Sequence, residues 1–143
     1  MDIQEISDRL EIQSLLSKYA RAVDTRDWDL WRSLFTDDAV VDYSSAGAVA
    51  GSRDEVAAWL EQALSAMQMM QHFISNIEAE IDGDTAQVRA MFYNPMQLPG
   101  MDELSYCGGY YHHTLVRTPD GWRSTSLREE NAWFANPLLP VQG

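Results

Sequence analysis

Two residues able to form a proton-abstracting pair stand in an otherwise apolar setting. They are Asp24, within Tyr19-Ala-Arg-Ala-Val-Asp24-Thr-Arg-Asp-Trp28, and His72, within Gln71-His72-Phe73. An ionised carboxylate hydrogen-bonded to one ring nitrogen fixes the imidazole tautomer. It also stabilises the imidazolium formed when the other nitrogen takes a proton. A free imidazole titrates at about 6.5, already near working pH. Asp24 falls where an amphipathic helix should end and His72 where a helical pattern gives way to strand, so both can face one cavity. The same residues admit a plainer reading, because an aspartate at a helix end often bonds the local backbone and a lone histidine is commonly a satisfied core residue.

The elements that must position them follow from hydrophobic period. Ile6, Leu10, Ile12, Leu15, Leu16, Tyr19, Ala20 and Val23 recur at helical spacing and predict a long first helix ending near Asp24. Asp27 reads as the N-cap of a short aromatic helix over Trp28, Leu30, Trp31, Leu34 and Phe35, stopped by Thr36-Asp37-Asp38. Val40, Val41 and Tyr43 predict a short strand, and Ser52-Arg-Asp-Glu55 is a capping box opening a third helix to about Ser65. Beyond it the period shortens to that of strands, around 70–81, 84–98, 105–118 and 122–134, with Asp82-Gly83 and Pro119-Asp-Gly121 as hairpin turns. Helices first and long strands afterwards imply an α+β fold with the helices on one side of a mostly antiparallel sheet. Long strands covering helices must curl, and Gly108 and Gly109 suit a bend or bulge that tightens the curve into a cone with an apolar interior.

Composition narrows the function. A chain of 143 residues makes one domain spanning 1–143, and 45% hydrophobic residues with five Trp and six Tyr suit a large core or pocket. A net charge of -12, with the basic residues scattered singly, argues against nucleic acid and anionic membrane surfaces as partners. The single cysteine, Cys107, permits no internal disulfide and no cysteine-based zinc site, which suggests a reducing compartment. The opening residues carry acids without an apolar run, and no stretch of 18 apolar residues occurs, so a cytoplasmic location is expected. Neighbouring His112 and His113 on one strand cannot share an ion, so no metal and no cofactor is expected. Nucleophile elbows and phosphate-binding glycine loops are absent.

The segment from Leu16 through Asp24 and Trp28 to Asp42-Tyr43, the Gln71-His72-Phe73 step and Asp120-Gly-Trp122 resemble the SnoaL-like, scytalone dehydratase-like branch of the nuclear transport factor 2 superfamily. The resemblance spans nearly the whole chain. It implies a cone-shaped, cystatin-like α+β barrel and an elimination chemistry run by an Asp/His dyad, with Asp24 and His72 falling on that dyad. Branch members include scytalone dehydratase, bile acid 7α-dehydratase and hexachlorocyclohexane dehydrochlorinase. Tyr43 falls on a tyrosine that holds a water in the first of these and Tyr19 on a pocket tyrosine of the second, so both are candidate oxyanion donors. Each could equally be an amphipathic core residue. Met96 stands where scytalone dehydratase has a second catalytic histidine, and Asn94 where the bile acid enzyme has an aspartate, so neither exact reaction is implied.

Phe92, Asn94, Met96 and Trp59 are expected to bind substrate with one Tyr/His pair from Tyr110-Tyr111-His112-His113, whose alternate members face opposite sides of a strand. Counting back from Asp120-Gly121 against scytalone dehydratase puts Tyr110 and His112 inward, and a bulge after Tyr110 would reverse this. The expected protein is a lyase or isomerase, foremost a dehydratase, of a hydrophobic polyketide-, terpenoid- or steroid-like ring. Epoxide hydration and a non-catalytic binding or oxygenase small-subunit-like assembly role are the alternatives. Self-association as a trimer, or a dimer, is expected from the outer sheet face and the apolar tail with Trp133, Phe134, Leu138 and Leu139.

Overall fold

Asp2 begins the first helix by accepting a hydrogen bond from the Glu5 N–H at 2.8 Å, and α1 runs Ile3–Asp24. Its buried stripe is Asp8, Ile12, Leu15, Leu16, Tyr19, Ala22 and Val23. Ile6 and Leu10, expected in that stripe, are exposed instead, because the inward face at this end is centred on Asp8. Asp27 caps α2 (Trp28–Ser33) through the Leu30 N–H at 3.0 Å. This helix is shorter than its aromatic pattern predicts: Phe35 already belongs to strand β1 (Phe35–Asp42), whose residue Phe35 pairs with Ser124. A 3-10 turn over Ser44–Ala46 leads to β2 (Ala50–Ser52), and Ser52 caps α3 (Arg53–Ala63) as the capping box predicts. Then follow β3 (Met69–Met70), β4 (Phe73–Asp82), β5 (Thr85–Gln97), β6 (Ser105–Thr118) and β7 (Gly121–Ala135). The computed structural model describes residues 1–136, so Leu138 and Leu139 of the expected tail lie outside the described part.

The seven strands form one curled, half-barrel sheet in the order β2-β1-β7-β6-β5-β3, with β4 also pairing β5. All pairs are antiparallel except β1 with β7. This is the α+β cone. Its concave face and the three helices enclose the core, in which Trp31, Trp122, Ile12, Leu115 and Val41 are fully buried.

Irregularities in β4 and β7 bend the sheet. Asn76 adopts a left-handed conformation (φ 51°) where β4 slips register against β5 between Ser75 and Glu78. Strand β7 slips twice against β6, at Thr114/Leu115 and at Gly108/Gly109, leaving Thr125 and Ala132 as the extra residues. Such bulges bend and coil the strand that carries them. The bend expected at Gly108–Gly109 is therefore present, but the inserted residue lies in β7. Gly108 itself lies between Tyr93 of β5 and Trp133 of β7 on the outer face. A Cβ there would strike the Trp133 ring, so only glycine lets that ring lie across β6 to reach Tyr93, with centroids 6.0 Å apart. Phe73 and Tyr106 extend the same outer strip of aromatic rings.

Helix α1 is fixed to the far end of the sheet by Asp8. Both its oxygens accept from the Arg117 guanidinium at 2.8 and 3.0 Å, and one also accepts from the Trp122 indole N–H at 3.2 Å. The Arg117 guanidinium further stacks on the Trp122 ring at 4.6 Å. Hydrogen bonding from Arg117 holds the Asp8 carboxyl well below the usual carboxylate range. A depressed carboxyl contributes stability above its unfolded value and loses it as pH falls toward the folded one. Asp8→Asn is therefore expected to destabilise the fold by about 2 kcal/mol at neutral pH, the scale of lost hydrogen bonds to a charged group. Urea unfolding should show that this difference shrinks once the pH drops below about 4.

Candidate active site

Helix α1 ends at Asp24 because Thr25 takes the cap and Arg26 turns into the left-handed region (φ 58°). The turn is held in place by Arg26, whose guanidinium donates to the carbonyl oxygens of Leu64, at 3.0 Å, and Met67 beyond α3. His72 is placed by an interruption of the sheet. Strands β3 and β4 pair with β5 in one continuous register, Met70 with Met96 and Phe73 with Tyr93, and the two residues between them break the ladder. Opposite Gln71 stands Pro95, which accepts from the Gln71 N–H at 3.1 Å but has no N–H to return. The Asn94 side chain also accepts from Gln71 N–H, at 3.3 Å. The next N–H, that of His72, leaves the sheet and donates to Asp24 Oδ2 at 2.8 Å, while Asp24 Oδ1 lies 2.6 Å from His72 Nδ1.

One carboxylate therefore holds both the backbone and the ring of the same histidine. A carboxylate accepts, so Nδ1 carries a proton and Nε2 presents its lone pair. The imidazole side chain is only 9% exposed, and His72 lines a cavity of about 280 Å³ between the concave sheet face and the helices. The walls are largely apolar and adaptable, with Val23, Leu60, Leu64, Met67, Met70 and Met96 among them.

Of the residues anticipated from sequence, Asp24, His72, Tyr19, Tyr43, Phe92, Asn94, Met96 and Trp59 are gathered at this cavity, all but Asp24 directly in its lining. Strand β5 pairs with β6 without a slip, so its inward set Phe92, Asn94 and Met96 obeys simple alternation. The Tyr19 and Tyr43 hydroxyls bond each other at 2.5 Å, and burial raises both above the ordinary phenol value. They remain neutral donors at any working pH.

Tyr110 and His112 are not in the cavity. Strand β6 has no inserted residue of its own, and Leu115, fully buried, sets a parity that turns Cys107, Tyr111 and His113 inward. Tyr110 instead lies on the outer face under the Arg89 guanidinium at 4.0 Å, and His112 Nε2 pairs with Glu130 at 2.8 Å. Tyr111 takes the cavity place expected of Tyr110, stacked on Phe92 with ring centroids 4.6 Å apart and edge-on to Tyr19. His113 is core: it bonds Ser124 Oγ at 2.9 Å, and burial pushes its pKa down to about 3, so it stays neutral.

Two cavity residues escape a reading by alternation, Glu129 and Asn131. Counting in twos from buried Trp122 and Ser124 would send them outward, but the bulge at Thr125 reverses the parity of the residues that follow. Glu129 is 8% exposed, and burial, partly offset by the nearby Asn131 amide and reinforced by the Asp42 charge, pushes its carboxyl up to about 7. Glu129 Oε1 and Asn131 Nδ2 are buried without a hydrogen-bond partner among the described residues. No group of three or more His, Cys, Asp or Glu side chains among the described residues is placed to hold a metal ion, and no described helix is long and apolar enough to cross a membrane.

Residues 4–128 match the model of the SnoaL-like domain. An uncharacterised protein of Mycobacterium tuberculosis is 41% identical over 124 residues, covering 86% of this chain and 84% of its own. Among solved structures, a scytalone dehydratase-like protein from Novosphingobium aromaticivorans superposes with a TM-score of 0.87 at 18% identity, covering 99% of this chain and 95% of that one. A hexachlorocyclohexane dehydrochlorinase from Novosphingobium barchaimii gives 0.83 at 19% identity, with each chain covered in full. At these identities the structures establish the shared fold.

A carboxyl whose folded pKa lies above its unfolded value weakens the fold as pH rises between the two. Glu129 should therefore cost stability progressively from about 4.5 to about 7. Glu129→Gln is expected to become more stable than the wild type over that window, by up to about 3 kcal/mol, the equivalent of the shift. Chemical unfolding of both proteins on either side of it measures the effect; parallel pH profiles would contradict the burial cost.

Proposed function

The chain belongs to the SnoaL-like domain family, and from that premise we propose that it is a cofactor-independent lyase that dehydrates a hydrophobic cyclic ketone. The observation that supports this most is the double contact of Asp24 with His72 at the wall of an apolar cavity. His72 Nε2 is the base: it removes a proton from carbon next to a carbonyl, and the Asp24 carboxylate stabilises the imidazolium that results. In the Tyr19–Tyr43 pair one hydroxyl donates to the other, and the second, whose O–H is left free, donates to the oxygen on which enolate charge develops; the low-dielectric surroundings strengthen that bond. Loss of hydroxide from the neighbouring carbon completes the elimination.

The cavity volume of about 280 Å³ lies at the lower limit of ligand sites. It favours one or two fused rings of polyketide or terpenoid type over a four-ring steroid. Trp59, Phe92 and Met96 would hold the ring, and Asn94, which positions Gln71, keeps the base in place.

A bicyclic β-hydroxy ketone, 3-hydroxy-1-tetralone, is a suitable test compound. The wild type is expected to release water from it and, in deuterated buffer, to exchange hydrogen at the carbon next to the carbonyl. His72→Ala should abolish both, and Asp24→Asn should slow them by about 10² to 10⁴-fold, the range of general-base effects. Chelators should have no effect. Exchange that survives His72→Ala within a fewfold, or that EDTA removes and a divalent metal restores, would show the dyad mechanism to be wrong.

Self-association is proposed on a separate observation, the outer aromatic strip. Phe73, Tyr93 and Trp133 are 52%, 39% and 45% exposed, with Tyr93 packed against each of the other two, a patch of the kind that subunits cover. Light scattering at micromolar concentration should give a trimer, or failing that a dimer, and Trp133→Lys should weaken it. A monomeric wild type would rule out the association.

A further inference from the structure

The base described above uses one wall of the cavity, and the opposite part of the sheet carries polar groups to which it assigns no task. His72 lies beside β5, whereas Glu129 and Asn131 lie on β7, with β6 between. Three strand spacings, about 14 Å along the sheet, separate the two backbones, yet both sets of side chains line one cavity on the inner side of its curve. A molecule in the cavity therefore meets the base on one wall and Glu129 on another, and the side chains of the curled sheet converge on it.

Three observations make this second wall a built site. Glu129 is more than nine-tenths buried, on a strand. Its Oε1 and the Asn131 Nδ2 have no hydrogen-bond partner among the described residues, although buried polar groups almost always have one. Both line the cavity, where a ligand can supply the missing bonds. The surroundings also matter for charge. The groups that interact with Glu129 are the adjacent Asn131 amide on β7, which partly offsets the effect of burial, the Tyr43 hydroxyl beyond β1, the Asp42 carboxylate on β1, and Tyr111 and Cys107 on β6. None of these is a cation that would hold the carboxylate ionised.

We propose that Glu129 and Asn131 form an oxygen-binding subsite in which Glu129 protonates the substrate hydroxyl as it departs; this rests on the lyase reading above. The class of substrate follows. Hydroxide is a poor leaving group without a proton, whereas a halide needs none, so a buried acid at this place suits a β-hydroxy ketone. The electrons of the broken C–H bond become the new C=C bond, and those of the C–O bond leave with oxygen, which takes the Glu129 proton and departs as water. His72 ends as imidazolium and Glu129 as carboxylate. Return of one proton from the first to the second through solvent restores both, so no co-reactant is consumed. Asn131 Nδ2 donates to the same oxygen and holds it against Glu129.

Infrared difference spectroscopy on the purified protein tests the subsite without turnover. The wild type should show a neutral-carboxyl band that Glu129→Gln lacks and Glu129→Asp retains, and it should disappear with a midpoint of about 7. Adding 2-naphthol, a bicyclic hydroxyl compound, should shift that band in the wild type. A carboxylate ionised down to its ordinary range, or a band that 2-naphthol leaves in place, overturns the subsite. On 3-hydroxy-1-tetralone, Glu129→Gln should slow water loss by about 10²-fold. It should slow acetate loss from 3-acetoxy-1-tetralone far less; equal losses on both overturn the proton transfer. The infrared outcomes do not depend on the base, so exchange persisting in His72→Ala would refute the lyase reading while leaving the subsite to be decided on its own bands.

Discussion

The grip of a single carboxylate on two donors of one residue is the constraint on which the arrangement depends. Asp24 meets the His72 ring with one oxygen and the His72 backbone with the other. The ring contact alone would set the tautomer, but the imidazole could still swing about its own side-chain bonds. With the backbone N–H fixed as well, the origin of the side chain is located relative to the acceptor, so the lone pair on Nε2 has a defined direction. The backbone N–H is free for this because Pro95 interrupts the exchange of bonds one residue earlier. The position of Asp24 depends in turn on both ends of α1, which Asp8 ties to Arg117 and Trp122, and Arg26 to the carbonyls beyond α3.

Around that pair the molecule keeps its polar groups in two different conditions. Tyr19 and Tyr43 satisfy each other, and their burial removes any tendency to ionise, so they act as fixed dipoles. Glu129 and Asn131 are left unsatisfied among the described residues at a cost to the fold. A folded protein tolerates such groups where something else uses them. The apolar lining amplifies both effects, since interactions between charges and dipoles strengthen as water is excluded.

How much of this was legible in the sequence depends on whether a strand carries an inserted residue. Asp24 and His72 could be singled out because each stands at the end of a predictable element, and the resemblance to known dehydratases placed them together. Phe92, Asn94 and Met96 follow from alternation because β5 pairs regularly with β6. Tyr110 and His112 face outward, against the expectation from the turn at Asp120-Gly121: the four-residue run offers both parities, and buried Leu115 sets the one that holds. Glu129 was hidden for a related reason, since the Thr125 bulge has no signature in the residue types around it. Phe35 looked helical by its neighbours and became strand because tertiary pairing with β7 outweighs local pattern.

The Thr125 bulge also bears on how such a cavity can change over time. From Leu127 to Asn131, inward residues alternate with Arg128 and Glu130 on the outer face. One codon inserted between Ser126 and Leu127, with the pairing to β6 otherwise kept, would turn Arg128 and Glu130 inward and Glu129 outward. The lining would exchange a lone acid for a cation beside an acid in one genetic step. No single substitution achieves that exchange. Families built on bulged strands can thus diversify the polarity of a pocket by small insertions, while the helices and the dyad at the other wall stay as they are.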